Sequence, residues 1–348
     1  MSPAADLSAM SIPLISVLMP CRNCAATLPE AMNSLLAQSL KEIEVVAVDD
    51  GSQDGTRDLL QGFARRDRRV RVLSRPYQGI TAALNQGLEV SRADLVARMD
   101  ADDVACSSRL ASQVRFLEDN PEIGLVGSRV SVDEHPDRGR GFASFARWSN
   151  SVLTSHEISI HRFVENPLIH PTIVFRKVWA ARAGAYRQGM FPEDYELVLR
   201  WLEHGVVMAK LGSALLDWRD RPDRLSRTDP RCSVEAFYRM KSPYLARWLK
   251  ANNPWHPRVA VLGAGRKSAP RAMHLEGHGV HIEAFFDLDP ARVGKSRYGR
   301  PVRDLIDLPD SGQTFCLSYA GVRGAREKIA AFLRGRGYVL GRDALLAA

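Results

Sequence analysis

Asp100-Ala101-Asp102-Asp103 sets three carboxylates within four residues, directly after the apolar run Leu95-Val96-Ala97. Carboxylates this close repel one another unless a cation offsets their charge. Hard divalent cations such as Mg²⁺ and Mn²⁺ take oxygen ligands and keep positions for phosphate oxygens. A buried strand ending in Asp-x-Asp therefore suits a metal–diphosphate site. The same residues suit an acidic turn that caps the next helix, because Asp favours N-caps. The four residues alone do not separate these readings. A second acidic pair, Glu193-Asp194, opens a segment whose apolar residues Tyr195, Leu197, Val198, Leu199 and Leu202 read as a helix ending near Gly205. Acids at a helix start also answer the helix dipole. Asp49-Asp50-Gly51-Ser52 is a third acidic group, built from turn residues. Cys21-Arg22-Asn23-Cys24 is a CxxC, but no second cysteine pair follows to complete a zinc site.

The elements that must position these residues are legible. Ile15 to Pro20 reads as a buried strand, Thr27 to Gln38 as a helix, and Glu44 to Asp49 as a second strand running into the Asp50-Gly51-Ser52 turn. A helix from Thr56, a strand Val70 to Leu73, a helix Ile80 to Val90 and a strand Asp94 to Met99 follow. Strands alternating with helices predict an α/β fold with a largely parallel sheet covered on both faces. Such sheets bind ligands beyond the carboxyl ends of their strands. Pro20, Asp50, Asp100 and Asp102 all fall at such ends.

Composition sets bounds. The chain has 348 residues, enough for two domains, with 25% charged and 45% hydrophobic residues. Five cysteines at irregular spacing point to a reducing compartment. No apolar run is long enough for a membrane span. No basic region precedes an apolar stretch near Met1, so no signal peptide is expected. The net charge of +8 is uneven: Pro257 to Ala348 holds 15 Lys/Arg against 9 Asp/Glu, and the rest 33 against 31. That excess suits either a solvated face or an anionic membrane surface. Motifs for reading nucleic acid are lacking, so no nucleic-acid partner is expected.

Several motifs in order resemble family 2 glycosyltransferases of the GT-A fold. They are Val17-Leu-Met-Pro-Cys-Arg-Asn23, Val48-Asp-Asp-Gly-Ser-Gln-Asp54, Ala83-Leu-Asn85 and Arg98-Met-Asp-Ala-Asp-Asp103. Arg109-Leu, Gln113, Gly124-Leu-Val-Gly-Ser128, His170-Pro-Thr-Ile-Val-Phe-Arg176 and Pro192-Glu-Asp-Tyr-Glu-Leu197 continue the match, which spans roughly residues 13 to 228. The resemblance implies a mixed sheet with helices on both faces. It implies an inverting transfer from a nucleotide sugar, with Mn²⁺ or Mg²⁺, to a saccharide or lipid-linked acceptor in cell-surface polysaccharide synthesis. A cytoplasmic enzyme, peripheral at the inner face of the membrane, is the matching expectation.

The resemblance also implies roles. Pro20 and Arg22 would lie along the base and ribose, with Arg22 in place of a frequent aromatic residue. Asp50 would accept the imide N–H of a uracil, a task for an acceptor-only carboxylate. Asp100 would contact the ribose or donor sugar, and Asp102 or Asp103 would ligate the metal. Asp194 would be the general base, supported by Glu193 and His170. Arg219 and Arg221 would clamp phosphate from the loop Asp217 to Arg227, whose Ser226 keeps the family pattern. The Gln-x-x-Arg-Trp motif of processive members is lacking, so polymer extrusion is not expected. Two rivals are a nucleotidyltransferase, which would show a Gly-rich basic loop after strand one, and an inactive nucleotide-sugar-binding protein.

The expected division is a disordered tail over 1–12, a GT-A domain over 13–231, a helical linker over 232–257 and a small Rossmann-like domain over 258–348. In the linker Phe237, Met240, Tyr244 and Trp248 fall near helical spacing, interrupted by Pro243. Arg258 to Gly265 reads as a strand and glycine turn, with a helix from Ser268, a strand Val280 to Phe286, acidic Asp287, a strand Thr314 to Tyr319 and a helix from Val322. Gly263-x-Gly265-x-x-Ser268 lacks the third glycine of a dinucleotide fingerprint. A contact module for partner or substrate is expected there in preference to a cofactor site.

Overall fold

The computed structural model describes residues 12–132, 140–221, 224–321 and 324–348. Apart from Ile12, the expected tail lies outside the described residues, as does the expected helix start at Val322. The chain forms two compact units. One comprises Met1–Asn150, Leu168–Arg187 and Val206–Asp220, the other Ser151–Pro167, Gln188–Gly205 and Arg221–Ala348. The sequence-based boundaries at 231 and 257 both fall inside the second unit.

The first unit holds strands β1 (Ile15–Cys21), β2 (Ile43–Asp50), β3 (Val70–Arg75), β4 (Leu95–Arg98), β5 (Val104–Ala105), β6 (Ile123–Ser131), β7 (Val174–Arg176) and β8 (Val207–Asp217). Their order is β3-β2-β1-β4-β7-β6-β8-β5. The first four are parallel, whereas β7 runs antiparallel to both β4 and β6. The sheet is therefore mixed, and β5 to β8 carry no clear strand signal in the sequence. The register pairs Cys21 with Asp49 and Leu18 with Arg98, so the carboxyl ends of β1, β2 and β4 emerge side by side.

β1 and β2 are buried along nearly their whole length, which explains their uninterrupted apolar runs. Ile15, Val17, Met19, Val45 and Ala47 pack with Leu28, Met32, Leu35 and Leu60 from the helices Leu28–Leu36 and Thr56–Arg66. The helix Ile80–Val90 lies close on the same strands through Gly87. A Cβ there would stand 2.6 Å from Leu18 Cδ1 and 3.2 Å from Val48 Cγ2.

The second unit holds β9 (Arg258–Leu262), β10 (His281–Asp287), β11 (Ser296–Arg297), β12 (Arg300–Asp304), β13 (Cys316–Ser318) and β14 (Ala344–Leu346). β12-β10-β9-β13-β14 run parallel, and β11 pairs antiparallel at the edge. This is the winding order expected of a Rossmann-like sheet. Its core is shared. Tyr195 and Leu199 of the helix Glu193–Glu203 join Tyr238, Leu245 and Leu249 of the helix Val234–Asn252, and Val259, Phe285, Leu317 and Leu345 of the sheet. The helix Val234–Asn252 is continuous through Pro243, so this proline does not interrupt it. Proline removes one backbone donor. The hydroxyl of the preceding Ser242 donates to Tyr238 O at 2.7 Å, and packing on the sheet holds both halves in line.

Candidate active site

At the end of β2, Asp49 and Asp50 are both buried. Asp49 accepts from Ser52 N at 3.0 Å and from Arg57 Nε at 3.0 Å, which forms the turn the sequence predicts. Asp50 accepts from Gln78 N at 3.0 Å and Gly79 N at 2.8 Å, with Arg75 Nε 3.4 Å away. Its carboxylate thus fastens the loop after β3. Gly51 has φ +72°, and a Cβ there would meet Tyr77 N at 2.7 Å, so the two loops touch only because this residue is glycine.

The loop after β1 is stitched to the same turn. Asn23 N donates to Ser52 Oγ at 3.0 Å, Gln53 N to Asn23 Oδ1 at 2.9 Å, and Ala25 N to Asp54 Oδ2 at 3.1 Å. Arg22 is presented from this loop, and its guanidinium lies 3.5 Å from the centroid of the Tyr77 ring. Tyr77 is 57% exposed. This flat cationic and aromatic surface thus comes from two loops, and Tyr77 carries no local sequence signal for it. Pro20, half-buried, sits beside Val48.

The oxygens of Asp100, Asp102 and Asp103 lie within 4.8 Å of one another at the end of β4. Two buried arginines stand behind them. Arg98 Nη1 is 2.5 Å from Asp100 Oδ2. Burial opposes the charge on Arg98, but the neighbouring Asp100 more than offsets it and raises the guanidinium above its usual range. Arg109 donates to Arg98 O at 2.7 Å and Gln113 Oε1 at 3.1 Å, and burial pulls it down to about 10. Gln113 in turn donates to Thr172 O at 2.7 Å. Arg109 and Gln113 therefore brace the acidic loop from within. Asp103 is fully buried and accepts from Arg219 N at 3.0 Å, tying the end of β8 to this loop. Asp100 and Asp102 are the more open of the three.

Arg219 makes a bidentate pair with Glu30, at 2.7 and 2.5 Å, which holds the Glu30 carboxyl below its usual range. The expected phosphate clamp is thus engaged by a carboxylate. Arg221 belongs to the second unit, where its carbonyl accepts from Arg227 Nη1 at 2.6 Å. His170 Nε2 lies 2.9 Å from Tyr186 Oη. Burial, with Arg98 adding to it, drives His170 well below its usual range, which favours the neutral ring. Asn85 clasps the Tyr186 backbone at 2.8 and 3.0 Å, which gives the Ala83-Leu-Asn85 motif a bracing role.

Asp194 and Glu193 belong to the second unit, at the start of the helix Glu193–Glu203. Asn166 Nδ2 donates to Asp194 Oδ2 at 3.1 Å. Arg231 Nη1 lies 3.8 Å from Glu193 Oε2. Lys241 is buried behind the 163–166 segment, donating to Phe163 O at 2.8 Å and Ala347 O at 2.7 Å. Burial raises Glu165 and lowers Lys241. Sequence reasoning missed Asn166 because its partner stands 28 positions away. At the glycine turn after β9, Asp287 accepts from Ala264 N at 2.7 Å and pairs with Arg292 at 3.1 Å. The carboxylate at the ribose position of a dinucleotide fold is thus held by the chain itself.

A mixed sheet that gathers carboxylates at the ends of its parallel strands has the GT-A plan of nucleotide-sugar transferases. Residues 16–179 match the family model described as Glycosyl transferase family 2. The amylovoran biosynthesis glycosyltransferase AmsE of Erwinia amylovora is 31% identical over 202 residues, covering 58% of this chain and 73% of that one. The UDP-Gal:alpha-D-GlcNAc-diphosphoundecaprenol beta-1,3-galactosyltransferase of Escherichia coli is 28% identical over 210 residues, covering 60% and 74%. The crystal structure of S. aureus TarS 1-349 in complex with UDP-GlcNAc has the same fold, with a TM-score of 0.54 at 17% identity over 76% of this chain and 71% of that chain. The chain belongs to glycosyltransferase family 2 and is a glycosyltransferase.

Proposed function

We propose that this glycosyltransferase moves a sugar from a uridine diphosphate sugar to a saccharide or lipid-linked saccharide, by one inverting displacement that requires Mn²⁺ or Mg²⁺. The carrying observation is the cluster of Asp100, Asp102 and Asp103 oxygens within 4.8 Å at the end of β4. It lies in the same unit as the Arg22–Tyr77 surface and the Asp50 turn. Three carboxylates are the donor set a hard divalent cation needs. Asp102 and Asp103 would hold the ion, Asp102 from the more open side, while Asp100 keeps its pairing with Arg98 and faces the ribose or sugar. The ion, when bound, would offset charge on the diphosphate leaving group.

The remaining duties fall to the chain. The Arg22 guanidinium, backed by Tyr77, would stack on the base, with Pro20 along it. Asp50 would fix the base-side loop and accept the imide N–H with a lone pair left over from its backbone bonds. Arg219 would exchange Glu30 for a phosphate oxygen, and Arg221 would join it. Asp194 would take the proton of the acceptor hydroxyl as its oxygen bonds to the anomeric carbon. The bond from that carbon to the diphosphate oxygen breaks in the same step. His170, held neutral, would support the wall without adding charge.

The relatives support the biological setting. One is named for amylovoran biosynthesis, and another for a UDP-Gal donor and a diphosphoundecaprenol-linked acceptor. We propose that the reaction belongs to cell-surface polysaccharide assembly, in the cytoplasm and peripheral at the inner face of the membrane. The basic excess over 257–348 suits an anionic surface. Among the described residues no helix is long and apolar enough to cross a membrane. A thermal-shift screen of nucleotide sugars with and without Mn²⁺ tests the proposal. Uridine diphosphate sugars should stabilise the protein, and more so with the ion. Stabilisation by no nucleotide in either condition would reject the donor site.

A further inference from the structure

We propose that Asn166 is a positioning residue for this reaction, its side-chain amide fixing the Asp194 carboxylate in the orientation that receives the acceptor proton. This rests on the reading of Asp194 as the base. Asn166 is buried, and its Nδ2 donates to Asp194 Oδ2 at 3.1 Å. An amide donor suits that place better than a charged one, because it orients a carboxylate without supplying a proton to it.

The segment that carries Asn166 is anchored from two sides. Its neighbours Phe163 and Val164 give their carbonyls to the Lys241 ammonium, at 2.8 and 3.5 Å. That ammonium also lies 3.9 Å from the centroid of the Tyr238 ring and donates to Ala347 O. A buried cation thus grips the segment from the helix Val234–Asn252, while Tyr195 Oη grips it at Arg162 O, at 2.5 Å. Since Tyr195 follows Asp194 directly, the base and its orienting amide are held on one frame.

The charges around Asp194 make the amide matter. Glu165 faces it from the segment that carries Asn166, Tyr195 from its own helix, and Cys232 from the turn Pro230–Cys232. Arg231 pairs with Glu193, and Lys241 and Arg326 face Glu165. The Glu165 carboxyl beside Asp194 disfavours its ionised form, and a hydrogen bond donated to that form favours it. Without the amide, the carboxylate should take a proton at higher pH, where it can no longer act as a base.

The test uses the full chain. Uridine diphosphate release from UDP-galactose and from UDP-N-acetylglucosamine, with water as the acceptor, is followed across the neutral pH range. Asn166→Ala should move the acid limb of kcat up by about one pH unit and leave KM for the nucleotide sugar within about twofold. Asn166→Asp, which sets a second carboxylate against Asp194, should move it further. A rate lowered in parallel at every pH, with the limb in place, would overturn the proposal and leave Asn166 only structural. Asp194→Asn run beside them separates the two ideas. Undiminished release would end the base reading, whereas lost release with an unshifted Asn166→Ala limb ends only the positioning role. A second measurement does not depend on turnover. A double-mutant cycle of Asn166→Ala and Asp194→Asn in urea unfolding should give a coupling of about tenfold in the unfolding constant at neutral pH, fading on acidification. Zero coupling at neutral pH would refute the contact itself.

Discussion

The duties proposed for Asp102 and Asp194 are separable, and near-isosteric amides separate them. Asp102→Asn removes one charge from the acidic cluster and should abolish Mn²⁺-dependent stabilisation by nucleotide, with little change in the melting point of the unliganded protein. Full activity of the unaltered enzyme in excess chelator would rule the metal out. Asp194→Asn should leave nucleotide binding intact and slow transfer by about 10²–10⁴-fold. A variant that loses nucleotide binding instead would make Asp194 a donor ligand. His170 gives a prediction in pH. Its folded-state pKa is depressed, so the native state binds fewer protons than the unfolded chain below about pH 6.5. Stability is therefore complete above that pH and lost as pH falls, by up to about 1.4 kcal/mol per pH unit. Urea titrations of the parent and His170→Gln should converge on acidification. Parallel pH profiles would assign the acid sensitivity elsewhere.

At the scale of elements, strand ends and buried cations share the work. The carboxyl ends of β1, β2 and β4 supply Arg22, Asp50 and Asp100, and parallel pairing in register brings them out together. The strand and helix limits read from apolar periodicity lie within about two residues of those observed for β1 to β4 and for the helix Ile80–Val90. β5 to β8 escaped because short or irregular strands are defined by their partners; β6 pairs with β8, more than eighty positions on. Lys241 shows the same dependence on distant groups. Lys241→Met should keep the hydrocarbon stem yet leave three buried carbonyls without their donor, costing about 1–3 kcal/mol. Chemical denaturation measures it, and a loss below about 1 kcal/mol would show that apolar packing alone holds the 163–166 segment.

For the whole molecule, the distinct cores of the two units predict two separable responses. One core lies around β1, β2 and their helices, and the other joins the helix carrying Asp194 to the C-terminal sheet. Phe285, fully buried in the second, should cost about 3–5 kcal/mol when replaced by Ala. Calorimetry should then show that Phe285→Ala lowers the transition of the second unit, while uridine diphosphate with Mn²⁺ raises that of the first. A single transition moved equally by both would mean that the chain melts as one cooperative body.

The family and the GT-A plan are legible in the chain alone. Continuous apolar runs ending in turn and acidic residues are local signals, and the parallel half of the GT-A sheet, β1 to β4, is built from such strands. The sequence also marked Asp100, Asp102, Asp103 and Asp194 as residues worth attention, through their type and spacing. Only the tertiary structure decided which groups face them. Arg98 stands behind Asp100, Arg219 N–H holds Asp103, Tyr77 backs Arg22, and Asn166 meets Asp194. Only there, too, did the helix of Asp194 join the core of the C-terminal sheet. The physical reason is range. Periodicity and capping act over a few residues, whereas the hydrogen bonds, ion pairs and packing that set each carboxylate's neighbours close only when distant segments are folded together.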